Sequence, residues 1–189
     1  DWAYAVTGGL QWWKWFIGEG GVRVPLIVIP PKGQKFVRAD QKTNAYAHVK
    51  DLPITILDYA GVEHPQTEYE GRKIVAPSGV SMRKFLEGSS PSPRREEQWV
   101  AFELFGNSYV VAGDYKAIRV RTAMYGDGKW HLYDIKKDPG ETRPLDAEYP
   151  DQLEKMITIY EQYAKDKGIV PVADNWSPWH GFIDENKQN

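Results

Sequence analysis

The 189-residue chain has no cysteine. That excludes disulfide frameworks, thiolate metal sites and cysteine nucleophiles together. It leaves the compartment open, periplasmic or cytoplasmic, because a cysteine-free chain suits either redox environment. Charge of one sign is also lacking: 24 Lys and Arg stand against 26 Asp and Glu, for a net charge of -2. Such a balance gives no footprint for nucleic acid and no basic tract for an anionic membrane. No uninterrupted apolar run approaches the length of a bilayer span. The opening residues, DWAYAVTGG, have neither Met nor a charged-then-apolar leader, so the chain is expected to start partway into something longer. No G-x-S-x-G elbow and no P-loop lysine motif occurs. The four histidines, His48, His64, His131 and His180, show no metal-ligand spacing.

What is present is ordinary core material and many aromatics. Hydrophobic residues make up 41%, charged residues 26%, and there are 8 Trp and 11 Tyr. VRVPLIVI (Val22 to Ile29) is almost continuously β-branched and aliphatic, which predicts a strand buried on both faces, with a bulge or edge position at Pro25. DLPITILDYAG predicts a short amphipathic helix with Leu52, Ile56, Leu57 and Ala60 inward, Pro53 in its first turn and Gly61 as its stop. A strand followed by such a helix fits an α/β layer.

Composition changes between Gly71 and Arg95, and GSSPSPRR marks a boundary. Beyond it, Trp99 to Phe105, Ser108 to Val120 and Lys129 to Ile135 read as antiparallel strands joined by short turns. DPGE (Asp138 to Glu141) is a turn. Leu153, Met156, Ile157, Tyr160 and Ala164 then fall on one helical face, with Gly168 as the stop. The expected organisation is residues 1–88 as the end of a large α/β domain and 89–98 as a linker. A small antiparallel sheet with its helix follows over 99–170, then an irregular tail over 171–189.

One cation stands out. In WWKWFIGEGG, Lys14 sits among Trp12, Trp13 and Trp15. Its stem can lie along the indole faces as a packing residue. Alternatively, rigid neighbours hold it as a point charge aimed at a sulfate or phosphate group. The three tryptophans are candidates to line an aryl or sugar pocket, although core packing suits each as well. His48, just ahead of the predicted helix, is the histidine nearest the α/β layer and is kept as a substrate-binding candidate.

WAYAVTGGLQWWKWFIGEGGVRVPLIV, HVKDLPITILDYAGVEHP, WVAFELFGNSYVVAGDYKAIRV and WHLYDIKKDPGETRPLDAEYPDQLEKM appear in an order that resembles the C-terminal third of type I sulfatases. The closest likeness is to arylsulfatases. The resemblance implies a partial alkaline phosphatase-like fold and a formylglycine-dependent sulfuric ester hydrolase that uses calcium. It further implies that Lys14 occupies the position of a sulfate-binding lysine, with a sulfate ester, aryl or sugar, as substrate. The chain departs from that family's full pattern. SPSPR (Ser90 to Arg94) has Ser92 where the formylglycine motif needs proline, and the calcium-binding Asp and Asn pairs are missing. Asp1 is assigned no metal role. The nucleophile and metal ligands are therefore expected in a missing N-terminal portion, and the fragment alone is expected to be inactive and to associate with that portion or a second copy. The rival expectations are a phosphonate or phosphate monoester hydrolase of the same superfamily and a non-catalytic binding or assembly module.

Overall fold

Two tight turns shape the second half of the chain. Gly113 takes a φ of 59° at the first central position of a two-residue hairpin that pairs Ala112 with Tyr115. A left-handed residue there matches the twist of the flanking strands. Phe105 and Gly106 take φ values of 54° and 79° between Leu104 and Asn107, which face each other across the next hairpin. The expected strand from Ser108 to Val120 is therefore two strands folded at Gly113.

The computed structural model describes residues 2–30, 32–34, 36–37, 41–95 and 97–179. In chain order the elements are α1 (Trp2–Val6), α2 (Glu19–Val22), α3 (Asp51–Ala60), β1 (Glu68–Tyr69), β2 (Arg72–Lys73), α4 (Arg83–Leu86), β3 (Val100–Leu104), β4 (Asn107–Ala112), β5 (Tyr115–Arg119), β6 (Trp130–Asp134) and α5 (Pro150–Lys167). A 3-10 turn covers Thr122–Met124. Among the described residues, no helix is long and apolar enough to cross a membrane.

The chain divides into two compact units. One combines the described residues of Asp1–Pro25 with those of Trp99–Asn189, and the other spans Leu26–Gln98. The first 25 residues thus belong with the antiparallel sheet, whereas the sequence grouped them with residues up to 88.

In the first unit, β3, β4, β5 and β6 form an antiparallel sheet in sequence order. Alternation assigns its faces. Ala101, Val110, Ala117 and Leu132 meet Met156 of α5, with Leu153, Ile159, Tyr160 and Tyr163 packed around them. Burying one such side chain contributes about 1.5–3 kcal/mol. Gly168 closes α5 in the left-handed conformation, its N–H bonded to the carbonyls of Ala164 and Lys165. The small antiparallel sheet with a C-terminal helix is as expected.

In the second unit, Phe36, Met82, Phe85 and Leu86 form a small core with Leu52 and Tyr59 of α3. Helix α3 ends at Gly61, as expected, but presents another face. Asp51 and Thr55 are buried, and Ile56 is exposed. The Asp51 carboxylate accepts the N–H groups of His48 and Val80, each at 2.9 Å, and pairs with the guanidinium of Arg94. The Thr55 hydroxyl donates to the Asp51 carbonyl and accepts the Met82 N–H. A polar network from Asp51 and Thr55 therefore seats this helix together with Leu52 and Tyr59.

The strand expected over Val22 to Ile29 is not formed. Glu19–Val22 makes one helical turn, and residues 23–30 have no strand partner. Val24, Ile27 and Ile29 are 77%, 84% and 80% exposed. A strand apolar on both faces needs a neighbour on each edge. Among the described residues no strand lies beside this segment.

Candidate functional site

The segment around Lys14 covers the sheet face opposite α5. It cannot be a smooth turn, because two bulky residues, Trp12 and Trp15, take φ values of 64° and 85°. That region costs an L-residue about 1–2 kcal/mol, so surrounding contacts must impose it. Those contacts are visible. The Trp12 ring stacks on Phe16 at 4.6 Å between centroids, and Trp13 meets Phe16 edge-on at 5.1 Å. Trp15 stacks on Trp179 at 4.8 Å. Phe16 and Ile17 are fully buried, and all three tryptophans are partly buried.

Glycines let the loop close on α2. A Cβ on Gly20 would stand 2.1 Å from the Trp12 carbonyl oxygen, and one on Gly21 would stand 2.2 Å from that of Phe16. The Gly20 N–H donates to the Gln11 carbonyl at 2.8 Å. Lys14 sits at the outward turn of this loop, exposed, between the two left-handed tryptophans.

Beneath the loop lies a group of charges. Lys116 of β5 has no exposed surface, and its ammonium stands 3.0 Å from Glu19 Oε1 and 2.9 Å from Glu141 Oε1. It also lies 5.2 Å from the centre of the Tyr109 ring. Glu141 Oε2 accepts the Glu19 backbone N–H at 2.8 Å, and Arg23 stands 3.5 Å from Glu19 Oε2. Burial alone would push the Lys116 ammonium down, but the Glu141 and Glu19 carboxylates outweigh it and hold its pKa above the ordinary lysine value. Burial pushes Glu141 up, opposed by Lys116. Two cations and two carboxylates thus alternate in a neutral chain from Glu141 to Arg23.

Arg121 secures the other flank. It is 2% exposed; its guanidinium donates to the carbonyls of Phe105, at 2.8 Å, of Ala173, and of Trp176, at 2.9 Å. These bonds hold the segment that brings Trp179 against Trp15. Beside that stack, Thr122, Tyr125, Asp174, Asn175, Ser177 and Trp179 line an open pocket of about 480 Å³.

The sequence candidates therefore separate. Lys14, Trp12, Trp13 and Trp15 share one loop. His48 belongs to the other unit, where its Nδ1 accepts the Lys50 N–H at 3.2 Å. Burial lowers its pKa, helped by Lys50, which favours a neutral ring that shapes the entry to α3. SPSPR also has a structural place, since Arg94 is the partner of Asp51. His180 and Asp1 lie outside the described residues. Among the described residues, no group of three or more His, Asp or Glu side chains comes together to hold a metal. Sequence reasoning gave neither Lys116, within the expected strand Ser108 to Val120, nor Glu141, in the DPGE turn, a place in the site. One signal was available: Lys116 falls at an inward position of an alternating strand.

Comparison with known proteins identifies the class. The family described as N-sulphoglucosamine sulphohydrolase, C-terminal, matches residues 8–165, and the chain belongs to that sulfatase family. An uncharacterized sulfatase of Schizosaccharomyces pombe is 32% identical over 185 residues, covering 98% of this chain and 31% of that protein. An N-acetylglucosamine-6-O-sulfatase of Bacteroides thetaiotaomicron is 28% identical over 161 residues, covering 80% of this chain and 26% of that one. The chain thus spans about a third or less of these relatives. Among solved structures, a 2-O GAG sulfatase overlaps 63% of this chain and 25% of its own, at 23% identity and a TM-score of 0.42. A phosphonate monoester hydrolase of Agrobacterium radiobacter overlaps 65% and 26%, at 19% identity and a TM-score of 0.39.

Proposed function

We propose that this chain is the C-terminal segment of a sulfuric ester hydrolase acting on a sulfated sugar or aryl ester, and that Lys14 binds the sulfate group. The observation that carries this reading is an exposed lysine fixed at the turn of a loop with two left-handed tryptophans. Strain of that kind is retained where a side chain must be aimed.

Lys14 supplies a compact positive charge. At about 4 Å and an effective dielectric near 20, its attraction to one sulfate oxygen is roughly 4 kcal/mol before desolvation. Negative charge grows on the ester oxygens as the bond to sulfur breaks, so part of that attraction appears only in the transition state. The aromatic loop restricts the lysine's rotamers beforehand, so little ordering remains to be done during the reaction. Trp15 and the pocket beside Trp179 form a wall for the organic part of the ester. Aromatic rings with Asp, Asn and Ser nearby suit a sugar, whose ring presents C–H faces and hydroxyl edges. The name of the bacterial relative, an N-acetylglucosamine-6-O-sulfatase, supports a sulfated glucosamine unit as the first substrate to try.

The residues described do not provide a calcium site, and the chain has no cysteine from which formylglycine is made. In this reading the formylglycine and calcium that the family uses would be supplied by another part of the protein, since no Ser of this chain stands in a Ser-x-Pro-x-Arg motif either.

The test compares sulfate release from glucosamine 6-sulfate and an activated aryl sulfate by the full-length protein and by residues 1–189 alone. Turnover by the full-length protein and none by the segment supports the reading. Cleavage of phosphonate or phosphate monoesters in preference to sulfate esters, or turnover that copurifies with the segment, contradicts it.

A further inference from the structure

The loop that carries Lys14 is tied to one residue at both ends. At its start, Gln11 Nε2 donates to the Glu141 carbonyl at 3.2 Å; at its end, the Glu19 N–H donates to Glu141 Oε2 at 2.8 Å. Glu141 lies in DPGE, a turn that needs no carboxylate for its own geometry. It is 1% exposed and takes a φ of 52°, an uncommon conformation for a residue of this type. Lys116 meets the same carboxylate from the sheet at 2.9 Å and reaches Glu19 at 3.0 Å.

We propose that Glu141, locked by Lys116, is a positioning residue for Lys14, setting where that ammonium stands relative to a bound sulfate. The assignment rests on the sulfate-binding reading of Lys14.

The chemistry supports a positioning role over a purely cohesive one. A buried ion pair is a poor source of net stability, since desolvation offsets most of its attraction, and apolar residues of similar volume often do as well. Its advantage is geometric. Carboxylate and ammonium must meet at hydrogen-bond distance, which apolar packing does not require. Here the fixed points are the two ends of the loop. The ring contacts of Trp12, stacked, and Trp13, edge-on, with Phe16 fix its middle. Lys14 is left with its side chain as the main freedom.

The same network excludes Lys116 from direct sulfate binding. Its ammonium has no exposed surface and is already shared by two carboxylates. Glu141, being buried and negative, is equally unsuited to touch a sulfate. Both act through another residue.

A double-mutant cycle in the full-length protein tests the inference. Glu141→Ala is expected to lower kcat/KM per folded molecule on the order of 10–10²-fold, as displacement of a catalytic group by about 1 Å does. Combined with Lys14→Ala, the same change should cost less than about 2-fold more, because the group it positions is gone. Glu141→Gln keeps the shape and one acceptor oxygen, and serves if the alanine variant does not fold. Gln11→Ala removes only the tie at the start of the loop and should show a smaller loss, also absent without Lys14. Losses that multiply independently of Lys14 overturn the inference while leaving the sulfate-binding reading intact. Wild-type turnover in Lys14→Ala alone overturns the sulfate-binding reading, and the positioning role with it.

Discussion

Gly20→Ala is a small perturbation with a large expected effect. The added methyl would stand 2.1 Å from the Trp12 oxygen, 2.8 Å from the Gln11 oxygen and 3.0 Å from the Leu10 oxygen. All three are backbone atoms, so no rotamer change can make room. The loop must lift from α2, which also stretches the Gly20 N–H bond to Gln11, now 2.8 Å. Overpacking a filled site costs about 1–3 kcal/mol, and a clash with three backbone oxygens belongs at the upper end. At about 2–4 °C per kcal/mol for a chain of this size, Tm should fall by about 6–12 °C. Gly61→Ala is the control. Its φ of 67° imposes the left-handed cost, but nothing lies within 4 Å of the added carbon, so the loss should be about 1–2 kcal/mol. Thermal unfolding followed by circular dichroism distinguishes the two. Equal losses, or a Gly20→Ala protein within about 2 °C of wild type, would refute the close packing of the loop.

His131 makes stability fall as pH rises. Its ring nitrogens stand 2.7 Å from Asp146 and 3.0 Å from Asp127. Burial lowers its pKa, but these carboxylates outweigh burial and raise it above 6.5. A raised folded-state value gives stability that is complete below the unfolded value and lost as pH passes the folded one. His131→Gln should flatten the decline of Tm from pH 6 upward, by under about 1 kcal/mol for a partly exposed group; an unchanged slope would contradict this. Arg94→Met should cost about 3–5 kcal/mol by leaving the buried Asp51 carboxylate without its cation. Arg94→Met with Asp51→Asn should recover part of that in urea titrations, and a single-mutant loss below about 1 kcal/mol would count against the pair.

Locally encoded parts of the fold could be read from the sequence. Helix α5 follows from its apolar spacing and Gly168, and the sheet from alternation and turn residues. Within VVAGDYKAIRV the turn residues Gly113 and Asp114 do mark the break, which reading Ser108 to Val120 as one strand passes over. Val22 to Ile29 misled for a different reason: its composition reports how a strand is buried when neighbours exist, and the described residues offer none. The face of α3 was misread because Asp51 and Thr55 are buried through bonds to Val80, Met82 and Arg94, which periodicity does not register. For the site, Lys14 and its aromatic neighbours were visible as one stretch. Lys116 and Glu141 were not, since Lys116 meets Glu19 across 97 positions and Glu141 meets Glu19 across 122.

The most direct measurement is kcat/KM for sulfate-ester hydrolysis by the full-length protein carrying Lys14→Ala, normalised to folded protein. Lys14 is exposed, so Tm should stay within about 2 °C of wild type, as for a surface substitution. Turnover should fall on the order of 10²–10³-fold, the loss typical of one preorganised group that stabilises developing negative charge. A variant that melts lower yet turns over normally would make Lys14 a packing residue of the tryptophan loop and contradict its assignment to the sulfate.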